Sequence, residues 1–556
     1  MKKSAALRTI CALLAIITCL SCLLALPVYA EDQTAPEEDT DAEYEAKKAA
    51  YREKLMSDDV TSDDFLIGSW VSFYSFDIHS YEYQLDQMAA AGVNFNIFPK
   101  NFGEGAMYDT AYWEDIEAQY ATRNMVYLMN GNVHEVNVAP GVEYAKDKEH
   151  CIGYHVADEP WKNLLEHIGY ISDRYHEKDP SRFTFCNLYP SYAPSDRLGE
   201  TYYNYVSKYV NEVGADKVEY LSHDYYPFLE GGSTRTRFFT DMEVIRKVAY
   251  ENGKLKTHAF PQSTAWSGMR MPNEVELRWN VYGYLSYGFK ALSWFNLVCP
   301  GSTDTEGEGF YDSLIYRDGT IRDPELFAFW SELNWEVRGM SDILMNQDVA
   351  HAYHIKKNVR DVEYLPGDFF LKPYSQYDLI VSVMEPKTGD DQYIMLFNKK
   401  MDRDITANFK VASDSGVKWM EYFDPRTGEY IPMEIEDSTF TESFLPGEGK
   451  LYRLRYDEPP FELEDTTETV SKAETETETK TETATVSAND TESATVSESV
   501  TESISSESVN EVTAESPSEE ATDATDNKGC GSTVSLGTVS LVMAAAASIV
   551  LKRKDE

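Results

Sequence analysis

The sequence has few basic residues for its length. Its 556 residues include 50 Lys and Arg against 95 Asp and Glu, which gives a formal charge of −45 at pH 7. Nucleic-acid phosphates need a basic surface opposite them, so this balance argues against nucleic acid as a partner. Uncharged ligands such as sugars remain compatible with it. At about 150 residues per domain, the length allows three or four units.

Cysteine is also scarce, with seven in the chain. Three lie in the first 30 residues and Cys530 lies near the end, so the apolar body contains only Cys151, Cys186 and Cys299. These three have neither the spacing of a disulfide framework nor that of a zinc site. Each lies in or beside a strand-like run, which predicts a buried free cysteine.

Both ends of the chain lack the composition of a globular fold. Residues 1–30 combine a basic start, an apolar run and a small-residue end, which predicts a cleaved secretory signal peptide. Residues 458–528 are rich in Thr, Glu and Ser, with 19 acidic against 3 basic residues from residue 461 onward, and predict a disordered stalk. Residues 529–556 contain an uncharged run followed by Lys-Arg-Lys, which predicts a transmembrane anchor with a basic cytoplasmic tail.

These end segments predict an exported chain on the extracellular face of the cell membrane, anchored by its C-terminal helix. No sortase motif precedes the tail, so plain membrane anchoring is the simpler prediction. Residues 31–60 form a second acidic segment, in which a short helix is expected around 43–56. The folded body then covers residues 61–457. Hydrophobic residues make up 42% of the chain, which suffices for a large core.

Residues 61–348 alternate between strand-like and helix-like stretches. Eight apolar runs are predicted as strands: 65–73, 93–98, 125–129, 151–157, 183–188, 218–223, 256–260 and 291–298. Strands that alternate with helices indicate parallel βαβ units, and eight units in about 280 residues match a (β/α)8 TIM barrel. The rival is an open doubly wound sheet. That fold normally has a glycine-rich first turn, and residues 73–77 contain no glycine.

After residue 348 the strands become short and the turns rich in Asp, Pro and Gly. We expect a small all-β sandwich over residues 349–457.

In a barrel, catalytic groups lie at the C-terminal ends of the strands. The fourth predicted strand ends in Asp158 and Glu159, followed by Pro160 and Trp161. A Glu in a partly apolar, aromatic pocket has its pKa raised by desolvation and can act as a general acid. Alternatively, Asp158 could be a helix N-cap with Pro160 in the first turn. The strand context favours the catalytic interpretation.

Other strand ends supply polar and aromatic residues that suit a sugar, because amides bond hydroxyl groups and aromatic rings stack on C–H faces. Asp224 is the third predicted catalytic carboxylate. The predicted substrate-binding residues are Asn187, Tyr189, His223, Tyr225, Gln262, Trp266, Trp294 and Asn296. The two tryptophans are expected to be stacking platforms. The expected partner is an extracellular glycan or oligosaccharide, with no cofactor and no metal.

Two stretches resemble a known family. Residues 153–160 are similar to the strand-four signature of clan A glycoside hydrolases, including β-galactosidase-like enzymes. Residues 272–279 and 287–292, with Phe295, are similar to the connection between strands seven and eight of that group. The resemblance implies hydrolysis of a glycosidic bond, with Glu159 as acid/base. Separately, the tail at residues 529–556 resembles those of Gram-positive surface proteins.

One position departs from the family. Its retaining members place a nucleophilic Glu at the end of strand seven, where this chain has Gln262, and an amide is not a useful nucleophile. Three interpretations stay open. Asp224, Glu306 or Glu308 could substitute; the enzyme could invert, with a base about 6.5–9.5 Å from Glu159; or the site could bind sugars without cleaving them.

A metal-dependent barrel hydrolase is a third class. His155, His223 and His258 lie on three predicted strands, with Asp158 and Asp224 nearby, and such groups can bind a metal. Strand one carries no His-x-His pair, however. Histidines that hydrogen-bond within the site or the core are the favoured interpretation.

Overall fold

The computed structural model describes most of the predicted body. The described residues are 38–71, 80–100, 109–131, 133–266, 268–299, 309–433, 435 and 438–458. The predicted signal peptide and C-terminal anchor, and all but the first residue of the predicted stalk, lie outside these ranges and stay predictions. Within the ranges, no helix is both long enough and apolar enough to span a bilayer.

Eight parallel strands close into a barrel. They are β1 Leu66–Val71, β2 Phe95–Phe98, β3 Val126–Asn130, β4 Cys151–Asp158, β5 Phe183–Leu188, β6 Tyr220–Asp224, β7 Lys256–Phe260 and β9 Ala291–Trp294. The ring closes because β9 pairs with both β7 and β1. Strand β8 (Thr264–Trp266) forms a separate ribbon with β10 (Phe310–Ser313). The predicted (β/α)8 TIM barrel is confirmed.

Helices alternate with the strands along the chain. They are α1 Glu38–Ser57, α2 Tyr81–Ala90, α3 Thr110–Arg123, α4 Val138–Ala145, α5 Leu165–Lys178, α6 Ser195–Leu198, α7 Tyr202–Val213, α8 Phe238–Glu251, α9 Glu274–Leu285, α10 Pro324–Gly339 and α11 Ser341–Asn346. Capping residues set several starts. Asn273 and Glu276 form a capping box at α9, and Asp323 caps α10 with Pro324 in its first turn. Local sequence therefore decides where these helices begin.

The barrel strands bury apolar side chains on both faces, and several inward positions near the pocket are polar. An inner cluster that includes Leu66, Phe95 and Leu128 fills the ring, and a larger outer cluster packs between the strands and the helices. Strands buried on both faces are continuous apolar runs in the sequence, as is typical of parallel sheets. The three body cysteines are buried and free, as predicted.

The C-terminal unit consists of two antiparallel sheets. Its strands are β11 Gln347–His354, β12 Leu371–Pro373, β13 Leu379–Pro386, β14 Tyr393–Asn398, β15 Ile405–Val411, β16 Trp419–Asp424, β17 Glu429–Met433, β18 Thr439–Phe444 and β19 Gly449–Arg455. The sheet orders are β11-β13-β14-β19-β16-β17 and β12-β15-β18. A third apolar cluster lies in this unit. The predicted C-terminal β-sandwich is confirmed.

Polar contacts fix the sandwich against the barrel helices. Trp279 Nε1 of α9 donates to the carbonyl of Lys399 at 2.9 Å. Ser382 Oγ of β13 donates to the carbonyl of Ser286 at 2.6 Å. These groups are buried on both sides, and leaving one unpaired would cost about 1–3 kcal/mol. The sandwich therefore braces the outer wall of the barrel.

Candidate active site

The end of β4 turns sharply at the predicted acid. Asp158 is the last residue of β4, and Glu159 follows with a φ of 43°, in the left-handed region. The Glu159 amide donates to the carbonyl of Asn187 on β5 at 2.9 Å. A non-glycine residue held in this region costs about 1–3 kcal/mol, and such residues cluster at functional sites. Helix α5 begins only at Leu165, so neither Asp158 nor Pro160 takes part in a helix start.

Three carboxyl groups meet at the mouth of the barrel. Asp158, Glu159 and Asp224 line one open pocket of about 290 Å³, together with Asn187 and four aromatic side chains. The aromatic residues are Trp70 of β1, Tyr226 after β6, Phe260 of β7 and Phe295 after β9. Parallel strands bring their carboxyl ends to the same rim, which is why residues far apart in the chain converge here.

Glu159 and Asp224 form a hydrogen-bonded carboxyl pair. Burial raises the pKa of Glu159 well above its ordinary value, and the negative charges of Asp224 and Asp158 raise it further. Burial and the charge of Asp158 likewise raise the pKa of Asp224, which is 4% exposed. No N–H or O–H group of the described residues donates to Asp224 Oδ1. Two such carboxyls in contact hold at least one proton at neutral pH.

Asp158 is held by an amide. Burial raises the pKa of Asp158 to about 7, and the hydrogen bond from Asn187 opposes that rise. Asn187 Nδ2 donates to Asp158 Oδ1 at 3.1 Å. Asn187 therefore lies in the pocket, where its amide orients a carboxyl group, and its contact with a substrate stays a prediction.

A chain of hydrogen bonds along the neighbouring strands β6, β7 and β9 orients Asn187. Ser222 Oγ bonds Asn187 Oδ1 at 3.2 Å and His258 Nδ1 at 2.8 Å, while His258 Nε2 bonds Ser293 Oγ at 2.9 Å. Burial lowers the pKa of His258 well below its usual value, so the ring is neutral and has one N–H. Because the Ser222 proton goes to the Asn187 carbonyl oxygen, His258 Nδ1 donates and Nε2 accepts from Ser293. Every hydrogen bond in the chain is then donated in the direction of Asp158.

Gln262, at the end of β7, uses its amide on backbone groups. Its Oε1 accepts from the Phe228 amide at 3.0 Å, and its Nε2 donates to the carbonyls of Phe228 and Arg270 at 3.2 and 2.8 Å. The side chain is fully buried. The predicted sugar contact of Gln262 is therefore corrected: its amide braces the loop after β6, because that loop has backbone groups to satisfy.

The two predicted stacking platforms lie behind the pocket wall or outside it. Trp294 is 1% exposed and donates to Asn334 of α10 at 3.0 Å, so its ring lies in the outer helix layer. Trp266 packs against the rings of Tyr226 and Phe295 at 5.0 and 5.4 Å and supports them from behind. Neither lines the pocket: strand alternation turns Trp294 outward, and Trp266 lies on the separate ribbon strand β8.

Three further predicted residues face the helices or a neighbouring loop. His223 lies 3.3 Å from the hydroxyl of Tyr202 on α7 and is fully buried. Tyr225 packs against Phe238 of α8 with a centroid distance of 5.7 Å. Tyr189 accepts a hydrogen bond from a loop arginine, described below. Their side chains are buried and do not line the pocket: His223 and Tyr225 take outward positions on either side of Asp224, and Tyr189 lies just past the end of β5.

The last predicted sugar contact, Asn296, is 1% exposed, and its carbonyl accepts from Ser263 Oγ at 3.0 Å. The two alternative carboxylates, Glu306 and Glu308, lie outside the described residues and stay predictions.

The four aromatic residues that line the pocket were not among the residues predicted from the sequence. Trp70 lies within a predicted strand and Phe260 ends one. Tyr226 and Phe295 immediately follow Tyr225 and Trp294, which were predicted as sugar contacts in their place. The signal that could have found them is the period of two: the residue after an outward-facing one faces inward. Because apolar side chains occur on both faces of each strand, hydropathy alone does not show which of two neighbouring aromatic residues faces inward.

The three histidines have different neighbours. His155 lies inside the ring between Trp70 and Phe98, with ring centroids 5.2 and 4.8 Å away, and burial lowers its pKa to about 3. His223 bonds a tyrosine and His258 bonds two serines, as described above. Across the described part of the chain, no three His, Cys, Asp or Glu side chains converge as metal ligands.

No protein-family model and no curated protein matches the chain. Solved structures, in contrast, do match the chain. A β-galactosidase from Bacillus circulans sp. alkalophilus has 9% identity and a TM-score of 0.49 over 71% of this chain and 99% of its own. A glycoside hydrolase family 5 protein from Bacteroides vulgatus ATCC 8482 has 11% identity and a TM-score of 0.43 over 71% and 92%. An Anoxybacillus α-amylase has 10% identity and a TM-score of 0.44 over 72% and 99%. These likenesses concern the fold alone, and the chain itself is an eight-stranded parallel barrel.

Proposed function

We propose that this protein hydrolyses O-glycosidic bonds of an extracellular carbohydrate, with Glu159 as the proton donor. One observation carries the proposal. At the mouth of a closed barrel, Glu159 lies in an aromatic pocket, hydrogen-bonded to Asp224, in surroundings that keep a proton on the pair at neutral pH. A protonated carboxylic acid beside aromatic rings is what a departing sugar oxygen needs.

In the proposed reaction the glycosidic C–O bond breaks as the Glu159 proton moves to the departing oxygen. Water supplies the hydroxyl group that replaces the alcohol, and its remaining proton returns to the Glu159 carboxylate. The Glu159 and Asp224 carboxyls are in hydrogen-bond contact, which is closer than the about 5–5.5 Å of a retaining pair or the about 6.5–9.5 Å of an inverting pair. We therefore assign Asp224 to holding Glu159 protonated rather than to attacking the sugar. Asp158 and Asn187 border the same pocket and would bond sugar hydroxyls.

The cellular setting belongs to the same proposal. The signal-like residues 1–30 and the anchor-like residues 529–556 predict that the barrel stands outside the cell, linked to the membrane by the stalk. Its substrate would then be a glycan on or near the cell surface.

A binding-only function is the second candidate, and Gln262 favours it. The end of β7 offers the pocket an amide that is already bonded to three backbone groups and can neither attack nor accept a proton. A barrel with this substitution could retain a glycan without cleaving it.

Glu159→Gln in the full-length protein separates the two functions. We expect it to lower turnover of activated aryl glycosides by at least about 10²–10⁴-fold, the usual contribution of a general acid, while glycan retention persists. Glu166→Gln, at an exposed glutamate of α5, is the matched control and should keep the wild-type rate. Equal rates for Glu159→Gln and wild type would remove the assignment. Saturable retention without turnover in the wild type would establish the binding-only function.

A further inference from the structure

An exposed tryptophan lies two residues after the proposed acid. The side chain of Trp161 is 42% exposed, whereas the tryptophans of the barrel wall, such as Trp70 and Trp294, are at most 6% exposed. Two residues of extended chain span no more than about 7 Å, so Trp161 stands at the rim of the pocket next to Glu159. Leu164 follows it and is also exposed. An apolar ring that the fold leaves in water beside a site is a candidate contact surface.

An arginine from the next loop covers this ring. The Arg197 guanidinium lies 5.3 Å from the centroid of the Trp161 ring and 5.4 Å from that of Tyr189. Its Nη1 donates to the Tyr189 hydroxyl at 2.7 Å, and its carbonyl accepts from the Lys162 amide at 2.8 Å. The loops after β4 and β5 are thereby joined, and Arg197 is held at a fixed place on the rim.

Within the described part of the chain, no ion pair neutralises the charge of Arg197. Among the described residues, no carboxylate lies within ion-pair distance of Arg197, although most arginines of this acidic chain, including Arg182 and Arg246, have such a partner. One of its five N–H donors is used on Tyr189, and no other acceptor in the described ranges takes the rest. The nearby positive charge acts on Glu159 without forming an ion pair with it. A half-buried guanidinium with free donors fits an anion.

We propose that Trp161 and Arg197 form the leaving-group subsite and that this subsite takes a sugar bearing a negatively charged substituent, a carboxylate or a sulfate. The proposal rests on the proposed hydrolase function. Glu159 protonates the departing oxygen, so the sugar that departs lies on the Glu159 side of the pocket, where Trp161 is. Its anionic group would be bonded by the guanidinium, and its ring would contact the exposed part of the Trp161 side chain beside Arg197.

The acidity of the whole chain does not oppose this assignment. Charges farther away than about 8 Å are largely screened at physiological ionic strength, so the field at the rim depends on the groups in contact with the ligand. There the guanidinium is the contacting charge, and it is bound to a neutral tyrosine.

The test uses the full-length chain carrying Glu159→Gln, which should keep bound oligosaccharides intact. The probes are oligosaccharides of a uronic-acid polymer and of a sulfated polymer, each with a neutral version made by carboxyl reduction or desulfation. We expect one acidic series to bind at least about 10-fold more tightly than its neutral version, the usual effect of one charge-assisted hydrogen bond. A preference for the first series identifies a carboxylate, and a preference for the second a sulfate.

Adding Arg197→Gln should abolish the preference for the acidic series and leave the affinity for the neutral version within about twofold. Adding Arg360→Gln, at an exposed arginine of the sandwich, should change neither affinity. Equal affinity for acidic and neutral versions overturns the subsite, as does an equal loss for both in Arg197→Gln, which would mean that Arg197 only supports the loop. Glu159-dependent hydrolysis of neutral glycosides without an acidic preference refutes the subsite alone. No retention and no hydrolysis of any probe refutes the hydrolase function as well.

Discussion

Replacing Asp224 by Asn removes one of the two carboxyl groups that share a proton at the pocket. The change keeps the size of the side chain, and it takes away the negative charge that raises the pKa of Glu159. An Asn amide can also donate to the Glu159 carboxylate, which stabilises the charged form. Both effects lower the pKa of Glu159, while desolvation, the largest cause of its rise, remains.

The size of the shift follows from the contact between the carboxyls. Two unit charges about 4 Å apart at an effective dielectric constant of about 20 repel each other by about 4 kcal/mol, which corresponds to about 3 pKa units. The pocket is open to solvent on one side, so we expect a smaller shift, of at least about 1 unit.

The assay is the pH profile of kcat/KM on an activated aryl glycoside. Activity requires Glu159 with its proton, so the rate falls on the alkaline side of the profile, and in Asp224→Asn that fall should move to lower pH. Asp241→Asn is the control: burial also raises the pKa of Asp241 to about 7, yet its charge does not act on Glu159. An alkaline limb that stays in place in Asp224→Asn, or moves equally in Asp241→Asn, would refute the carboxyl pair. If Asp224→Asn is too slow to assay, carbon-13 NMR of labelled Glu carboxyls, assigned with Glu159→Gln, gives the same pKa.

Two further substitutions test buried hydrogen bonds. Trp294→Phe leaves Asn334 Oδ1 without its donor and should lower the free energy of unfolding by about 1–3 kcal/mol with KM unchanged, which thermal unfolding and kinetics together would show. A raised KM would instead indicate that Trp294 contacts the sugar. Ser222→Ala removes the acceptor of His258 Nδ1–H and should cost a similar amount of stability. It should also lower kcat/KM, because Asn187 loses the bond that orients it; an unaffected rate would contradict the relay.

The barrel could be predicted because its signals are local. Residues 183–188 and 256–260 are predicted strands whose bounds the structure reproduces as Phe183–Leu188 and Lys256–Phe260. Each is an apolar run bounded by turn residues, and the order of strands and helices along the chain suffices to indicate parallel pairing. Helix α10 has no counterpart among the predicted elements, although Asp323 and Pro324 are a start signal for it.

The inward face of each strand could not be read from the sequence. Tyr225 and Tyr226 are neighbours, and so are Trp294 and Phe295; in each pair the structure turns the second residue to the pocket and the first to the helices. A shift of one residue exchanges the two faces of a strand. Helices cover the outside of this barrel and aromatic rings fill its inside, so both residues of a pair suit either face.

Gln262 shows a second reason why part of the site could not be predicted from the sequence. Its amide is polar and stands at a strand end, which is the pattern of a ligand contact. The structure uses it on the backbone of Phe228 and Arg270, two loop residues whose unpaired groups exist only once the loop has folded. Such a role depends on tertiary contacts and leaves no trace in local sequence. The Glu159 prediction, by contrast, depends only on its position after an apolar strand.

The carboxyl cluster should weaken the fold, and the pH dependence of stability measures by how much. The pKa of Asp158 is raised to about 7 in the folded chain, whereas an unfolded Asp ionises near its ordinary value of 3.8. Between these two pH values the folded state binds more protons than the unfolded state, so stability falls as pH rises and the loss is complete above about pH 7.

Asp158→Asn removes this loss and also relieves Glu159 and Asp224, whose pKa values the Asp158 charge raises. The variant should therefore gain stability relative to the wild type by up to about 4 kcal/mol between pH 4 and 7, read as the difference in thermal midpoints at each pH. A difference that is constant with pH would mean that Asp158 ionises normally in the fold. A stability difference that grows with pH would show that holding three carboxyl groups in one pocket destabilises the fold. Packing does not require that arrangement, whereas proton transfer does.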